Sequence, residues 1–135
     1  MKKTSLILAL CFSVFADDND IARKIYLSIA QEVTHKEKTI FYVHGSVDAL
    51  DALSVKKIND CDSADIVILS TWKKLPKSCL NKPLFTTRYR IFTNKKKVFG
   101  AFFWQKGRPN IIFSQKRLNE QNISLSSEFD RFIEQ

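Results

Sequence analysis

Polar and charged side chains follow three apolar runs of the sequence, at the points where these runs end. Ser70, Thr71 and Trp72 follow one run, Arg88 follows the next, and His44 follows an earlier one. If the runs are neighbouring parallel strands, these side chains meet at one edge of the sheet, where open α/β folds bind ligands. Hydroxyls, an aromatic ring and a guanidinium suit a small anion or carboxylate, as in a solute-binding module. The alternative is that the hydroxyls cap the next element and that Arg88 is solvated.

Catalytic and metal-binding patterns are scarce. The sequence has no Gly-x-Ser-x-Gly elbow, no phosphate-binding glycine loop and no His-Glu-x-x-His motif. A hydrolase that uses His44 with Ser70 is the enzymatic alternative, although a single histidine at a strand end is more often a hydrogen-bonded turn residue. Cys61 and Cys79 form no Cys-x-x-Cys pair and lie far from both histidines, which argues against zinc. We therefore expect no catalytic activity, no metal and no cofactor.

The first sixteen residues predict a secretory signal peptide. Lys2 and Lys3 precede an apolar run over residues 6–15, and Ala16 is small enough to end a signal-peptidase site. Because no repeat or Pro/Gly/Ser-rich linker divides residues 17–135, we expect them to form one exported, periplasmic domain. Export also argues against nucleic acid as the partner of this chain, whose formal net charge is +8.

Two cysteines, Cys61 and Cys79, remain after the signal segment. In an oxidising compartment they most simply form one disulfide. Such a disulfide would stabilise the fold by about 3 kcal/mol through the lost entropy of the unfolded chain. The alternative is a pair of buried thiols.

Charge is distributed unevenly along the exported chain. Residues 17–65 hold ten acidic and six basic side chains, whereas residues 66–119 hold thirteen basic side chains and no acidic one. One explanation is a solvated lysine surface. The other is a surface that faces anionic phospholipid headgroups, an acidic protein partner or an anionic ligand.

Trp104 lies beside Lys106 and Arg108 near a predicted hairpin turn. An aromatic ring next to cations at an exposed tip is typical of a protein-contact anchor. The alternative for Trp104 is a place in the core of a buried hairpin.

Hydrophobic periodicity predicts the elements that must position these residues. Apolar residues at every fourth position favour an amphipathic helix over residues 20–34, and the aliphatic run at 65–70 is typical of a strand buried on both faces of a parallel sheet. The other predicted elements are strands at 39–43, 84–88, 98–104 and 110–114, a weak edge strand at 54–58, and short helices at 47–53, 115–121 and 126–133. This order predicts an α/β fold, namely a small three-layer Rossmann-like domain with a C-terminal β-hairpin and terminal helices.

The order of elements and several local sequences resemble those of the YfiR-like periplasmic regulators. The resemblance is carried by the cysteine-plus-acid step into an aliphatic strand at residues 61–70, the glycine-led strand at 100–103, the turn Lys106-Gly107-Arg108, the strand at 111–113, Arg117-Leu118, and Ile-Ser-Leu-Ser-Ser at 123–127. It covers nearly all of the exported chain.

The resemblance implies a non-catalytic regulator that acts by protein contact. Members of the family are exported single domains with a Rossmann-like core, and they hold a membrane-bound diguanylate cyclase inactive. The implied partner is therefore a membrane-bound signalling protein, and a homodimer stays among the hypotheses for oligomeric state.

Overall fold

Helices and strands alternate along most of the chain. The computed structural model describes residues 17–52 and 54–135, so the predicted signal peptide lies outside the described residues. The strands are β1 (Phe41–His44), β2 (Ile66–Leu69), β3 (Leu84–Thr86), β4 (Val98–Gln105), β5 (Arg108–Ser114) and β6 (Ile133–Glu134). The α-helices are α1 (Asp18–Thr34), α2 (Tyr89–Asn94) and α3 (Gln115–Glu120), and 3-10 turns cover Asp48–Leu50, Lys77–Asn81 and Ser127–Phe132. Within the described ranges, none of the helices has the length and apolarity that crossing a membrane requires.

The six strands form one sheet in which spatial order follows chain order, from β1 to β6. Strands β1 to β4 are parallel, β5 is antiparallel to β4, and the short β6 is parallel to β5. The carboxyl ends of β1 to β4 therefore lie along one edge of the sheet, called here the carboxyl edge. The opposite edge, where these strands begin, is called the amino edge.

Both faces of the sheet are covered, which confirms the predicted α/β class with helices on either side of a sheet. Helix α1 packs on one face, called the α1 face, over Ile66 and Ile68 of β2. Val67 and Leu69 point to the other face, called the disulfide face, where they pack with Cys61 and Cys79, among others. All four side chains of β2 are buried, as the aliphatic run predicted.

Helix α1 confirms the periodicity prediction and begins two residues earlier. Asp17 caps its first turn, because Asp17 Oδ1 accepts the backbone N–H of Asp20 at 2.8 Å. Ile25 and Ile29 on the predicted stripe are buried. The helix stops after Thr34, where His35 adopts a left-handed conformation.

A one-residue irregularity in β4 decides which way its aromatic side chains point. Leu84 pairs with Val98 but Phe85 pairs with Gly100, so Phe99 is an extra residue on β4, as in a β-bulge. Phe99 and Phe102 consequently pack on the α1 face, and Phe103 packs on the disulfide face. A regular strand would have placed residues 99 and 103 on the same face.

A disulfide and the hydrogen bonds of one arginine stabilise the amino edge. A disulfide joins Cys61, which precedes β2, to Cys79, which precedes β3, with 5.1 Å between the Cα atoms, as predicted. The guanidinium of Arg117 donates to the carbonyl oxygens of Phe92 (2.7 Å) and Val98 (2.8 Å), at the end of α2 and the start of β4. Burial lowers the pKa of Arg117 from its ordinary value, which still leaves it charged at neutral pH.

A carboxylate ties β1 to β2 at the same edge. Asp65 accepts the backbone N–H of Ile40 and the ammonium of Lys36, at 2.8 and 2.7 Å. Burial acts to raise the pKa of Asp65, but these hydrogen bonds and the charges of Lys36 and Lys82 outweigh it, so the pKa lies below the ordinary value.

Four predicted elements differ from the observed ones. The predicted edge strand at 54–58 is wrong: only Lys57 forms a bridge, to Phe41. The strand predicted at 84–88 ends at Thr86, whose hydroxyl donates to Leu69 O, and the following α2 was not predicted. In place of the helices predicted at 47–53 and 126–133 there are short 3-10 turns, the second running into β6; Leu53 lies outside the described residues.

Replacing Gly100 by alanine should destabilise the protein by about 1–3 kcal/mol, because the added methyl group overpacks the core. A Cβ at Gly100 would lie 2.6 Å from the ring of Phe113 and 2.8 Å from the carbonyl oxygen of Ile112. Chemical denaturation measures the loss. Gly107→Asn is the control, since a side chain there meets open space and asparagine tolerates the positive φ of 77°. Equal stability of wild type and Gly100→Ala would contradict the packing described.

The protein purified without reductant should have a mass two hydrogens below that of its reduced form. The Cys61→Ala/Cys79→Ala variant should lose about 2–5 kcal/mol of unfolding free energy, since the unfolded chain regains the entropy of an open loop. Mass spectrometry and urea denaturation test the two statements. Two free thiols under non-reducing conditions would exclude the disulfide.

Candidate partner-binding surface

All of the predicted binding residues lie at the carboxyl edge or just beyond it. The sheet order places the segments after β2, β3 and β4 next to one another. The predicted residues in these segments are Ser70, Thr71 and Trp72 after β2, Arg88 after β3, and Trp104, Lys106 and Arg108 around the tip of the β4–β5 hairpin.

The hydroxyls of Ser70 and Thr71 are engaged in connections within the fold. Ser70 Oγ accepts the backbone N–H of Ser46 at 2.9 Å, on the β1 side of β2. Gly45 packs so closely on this hydroxyl that a Cβ there would collide with it. Thr71 Oγ1 accepts the backbone N–H of Lys73 at 3.2 Å. Both hydroxyls therefore stabilise the turns that follow β1 and β2.

Arg88 lies on the other side of β2, beyond the end of β3. Its backbone N–H donates to Thr86 Oγ1 at 3.2 Å and its side chain is exposed. Ser70 thus bonds towards β1 whereas Arg88 follows β3, and among the described residues no hydrogen bond joins the Arg88 guanidinium to the Ser70 or Thr71 hydroxyl. The small-anion site stays a prediction, with a geometry less favourable than the sequence suggested.

Trp72 is half-buried on the disulfide face. Its ring packs against the cluster that contains both cysteines, and the ammonium of Lys95 lies 5.0 Å from the ring centroid. This cation–π contact covers one side of the ring. Trp72 therefore contributes to the packing of the β2–β3 connection, and its ring does not form an open wall of a binding site.

His44 does not form a catalytic pair with Ser70. Its Nε2 lies 2.7 Å from the carbonyl oxygen of Lys73, to which it must donate, and its ring stacks on Tyr42 with 6.2 Å between centroids. In the described part of the chain no hydrogen bond joins His44 to Ser70. An activated serine needs a base within hydrogen-bond distance, so the geometry gives the hydrolase alternative no support.

The hairpin tip carries an exposed aromatic ring next to two exposed cations. Trp104 keeps 37% of its surface accessible while it rests on Phe102, with 5.7 Å between ring centroids. Lys106 and Gly107 both have positive φ, which makes a tight two-residue turn. Lys106 and Arg108 are both exposed at this tight turn.

Tyr89 is an exposed aromatic residue at the start of α2. It keeps 47% of its surface accessible and packs against Phe103 at 5.3 Å between centroids. Arg88 and Arg90 flank it, and both are exposed. The Arg-Tyr-Arg triplet at 88–90 was the available signal, and it begins at the last residue of the predicted strand 84–88, whereas the structure ends β3 at Thr86 and begins α2 at Tyr89.

Similarity to known proteins is limited to the fold. No family model and no curated protein matches the chain. The crystal structure of a conserved domain protein from Vibrio cholerae is similar at a TM-score of 0.56 and 8% sequence identity, over 82% of this chain and 58% of that chain. This chain thus spans less than two thirds of that protein's length. The likeness is compatible with the YfiR-like fold and carries no information on function.

Trp104 should contribute much less to stability than the residue on which it rests. We expect Phe102→Ala, which empties a fully buried site, to cost about 3–5 kcal/mol, and Trp104→Ala roughly 1–2 kcal/mol, since its ring is partly solvated. Urea denaturation compares the two variants. A loss for Trp104→Ala as large as that for Phe102→Ala would mean that Trp104 is a core residue.

Proposed function

We propose that this protein is a non-catalytic periplasmic regulator of the YfiR-like kind, which holds a membrane-bound diguanylate cyclase inactive through protein contact. The observation that carries the proposal is the hairpin tip, where Trp104, Lys106 and Arg108 are exposed around a tight turn. Aromatic residues and arginine are enriched at protein interfaces, whereas a small-molecule site needs a concave pocket.

Two further features support the proposal. The Cys61–Cys79 disulfide suits an oxidising compartment such as the periplasm. The side chains of His44 and Ser70, which an enzymatic role would require, are engaged in turns. A role in protein contact does not require these two side chains, so they can stabilise turns of the fold.

Deletion of the gene in the source organism should raise cellular cyclic di-GMP, because the cyclase would lose its repressor. Wild-type protein should restore the low level, whereas Lys106→Glu/Arg108→Glu, which reverses two charges at the tip, should not. Lys96→Glu/Lys97→Glu is the matched control, since it changes net charge by the same amount at the amino edge. Quantification of cyclic di-GMP tests the proposal, and a level unaffected by the deletion would refute it.

A further inference from the structure

Residues 66–119, which hold thirteen basic side chains and no acidic one, do not form one cationic face. Their connections lie alternately at the two edges of the sheet, so their bases are divided between them. Exposed bases of the carboxyl edge are Lys73, Lys74, Arg88, Arg90, Lys106 and Arg108, whereas the bases next to the starts of β3 and β4 are Lys82, Lys95, Lys96 and Lys97. The two edges therefore differ in chemistry, because every exposed arginine of residues 66–119 lies at the carboxyl edge, whereas Arg117 at the amino edge is partly buried.

The arginines of the carboxyl edge are also the ones that the fold leaves unused. Elsewhere, Arg23 binds Asp20 and the carbonyl of Ala49, Arg117 binds backbone carbonyls, and Arg131 lies over Phe132. Among the described residues, no ion pair or side-chain hydrogen bond engages the guanidiniums of the other three, which are Arg88, Arg90 and Arg108. A guanidinium can bind a carboxylate through two parallel hydrogen bonds, which lysine cannot do.

The exposed large apolar side chains of the described residues lie at this same edge. Trp104 rests on Phe102 on the α1 face, and Tyr89 rests on Phe103 on the disulfide face. Each ring has two cations close to it in sequence, Arg88 and Arg90 beside Tyr89, and Lys106 and Arg108 beside Trp104. The edge thus carries one aromatic–cation anchor on each side of the sheet.

We infer, on the basis of the proposed function, that the carboxyl edge binds an acidic segment of the partner protein, held between the Tyr89 anchor and the Trp104 anchor. Carboxylates of this segment bind the free arginines, and its apolar groups cover the two rings. Tyrosine, tryptophan and arginine are the residues that most often dominate protein interfaces. Both rings lie against the domain's own aromatic residues, which suits contact with a partner's side chains better than insertion into a bilayer.

The inference can be tested with a simple acidic probe. The probe is a peptide of alternating glutamate and serine, and the uncharged control replaces glutamate by glutamine. In the Trp72→Phe variant, Trp104 is the sole tryptophan of the exported chain and reports on its anchor by fluorescence. Nuclear magnetic resonance titration of the labelled protein maps the remaining contacts. We expect shifts at residues 88–90 and 104–108 with the acidic peptide only, and weaker binding as salt rises above about 0.15 M.

Charge-matched variants separate this site from the overall charge. Arg88→Glu/Arg90→Glu should weaken binding of the acidic peptide by about tenfold or more, and Lys96→Glu/Lys97→Glu by less than about twofold, since only the first pair lies in the site. Circular dichroism verifies that both variants are folded. Equal losses in the two variants, shifts centred on residues 95–97, or no binding would each overturn the inference.

Vesicles of phosphatidylglycerol provide the last comparison. Binding of these vesicles through residues 88–90 and 104–108, without a response to the acidic peptide, would assign the edge to a membrane surface and overturn the inference. The outcome is separable from that of the proposed function. Cyclic di-GMP regulation without peptide binding would retain the function and reject this site, whereas peptide binding without regulation would do the opposite.

Discussion

Gly100 lies between Phe85 of β3 and Phe113 of β5, and the rings of both residues occupy the space that a side chain at this position would need. The extra residue Phe99 next to it adds a third ring to the same cluster. This close packing sets the register of β4 beyond the bulge. The faces taken by Phe102 and Phe103, and through them the positions of Trp104 and Tyr89, all depend on it.

The amino edge and the carboxyl edge have divided roles. The disulfide, the Asp65 carboxylate and the Arg117 guanidinium all act at or near the amino edge, where they join neighbouring strands and their connections. At the carboxyl edge, Ser70 and His44 bind turns on the β1 side, and the Thr86 hydroxyl joins the end of β3 to the end of β2. From β3 to the hairpin tip its cations have no internal partners among the described residues. A rigid framework on one side thus presents an unpaired, cationic edge on the other, which is a common arrangement for binding surfaces.

The concentration of basic residues in one part of the sequence does not produce a single charged face in the structure. Consecutive connections of parallel strands start at the carboxyl edge and return to the amino edge. The thirteen basic residues of the segment 66–119 are therefore distributed over both edges of the sheet. The exposed arginines of residues 66–119 and the exposed aromatic side chains lie at the carboxyl edge, whereas lysines lie at both edges. Residue type, more than net charge, distinguishes the two.

The sequence alone determined the elements with strong local signals. Helix α1, the buried β2, the hairpin of β4 and β5, and the pairing of Cys61 with Cys79 follow from periodicity, a continuous aliphatic run, a turn between apolar segments and an even cysteine count. It also showed which residue types were available for binding at the strand ends. Each of these signals lies within a short part of the chain, and the tertiary structure contains each element where its signal predicts it.

Tertiary packing decided the remaining features. The bulge at Phe99 depends on rings from three strands, and no local pattern in β4 reveals it. Tyr89 is exposed because β3 ends at Thr86 and α2 begins, a boundary set by the contact of Thr86 with Leu69 of the neighbouring strand. The hydroxyl of Ser70 is engaged for the same reason, since its partner Ser46 is 24 residues away and only the fold brings it near. Side-chain direction at a strand end is set by the neighbouring strands, and the sequence specifies those neighbours only through the whole fold.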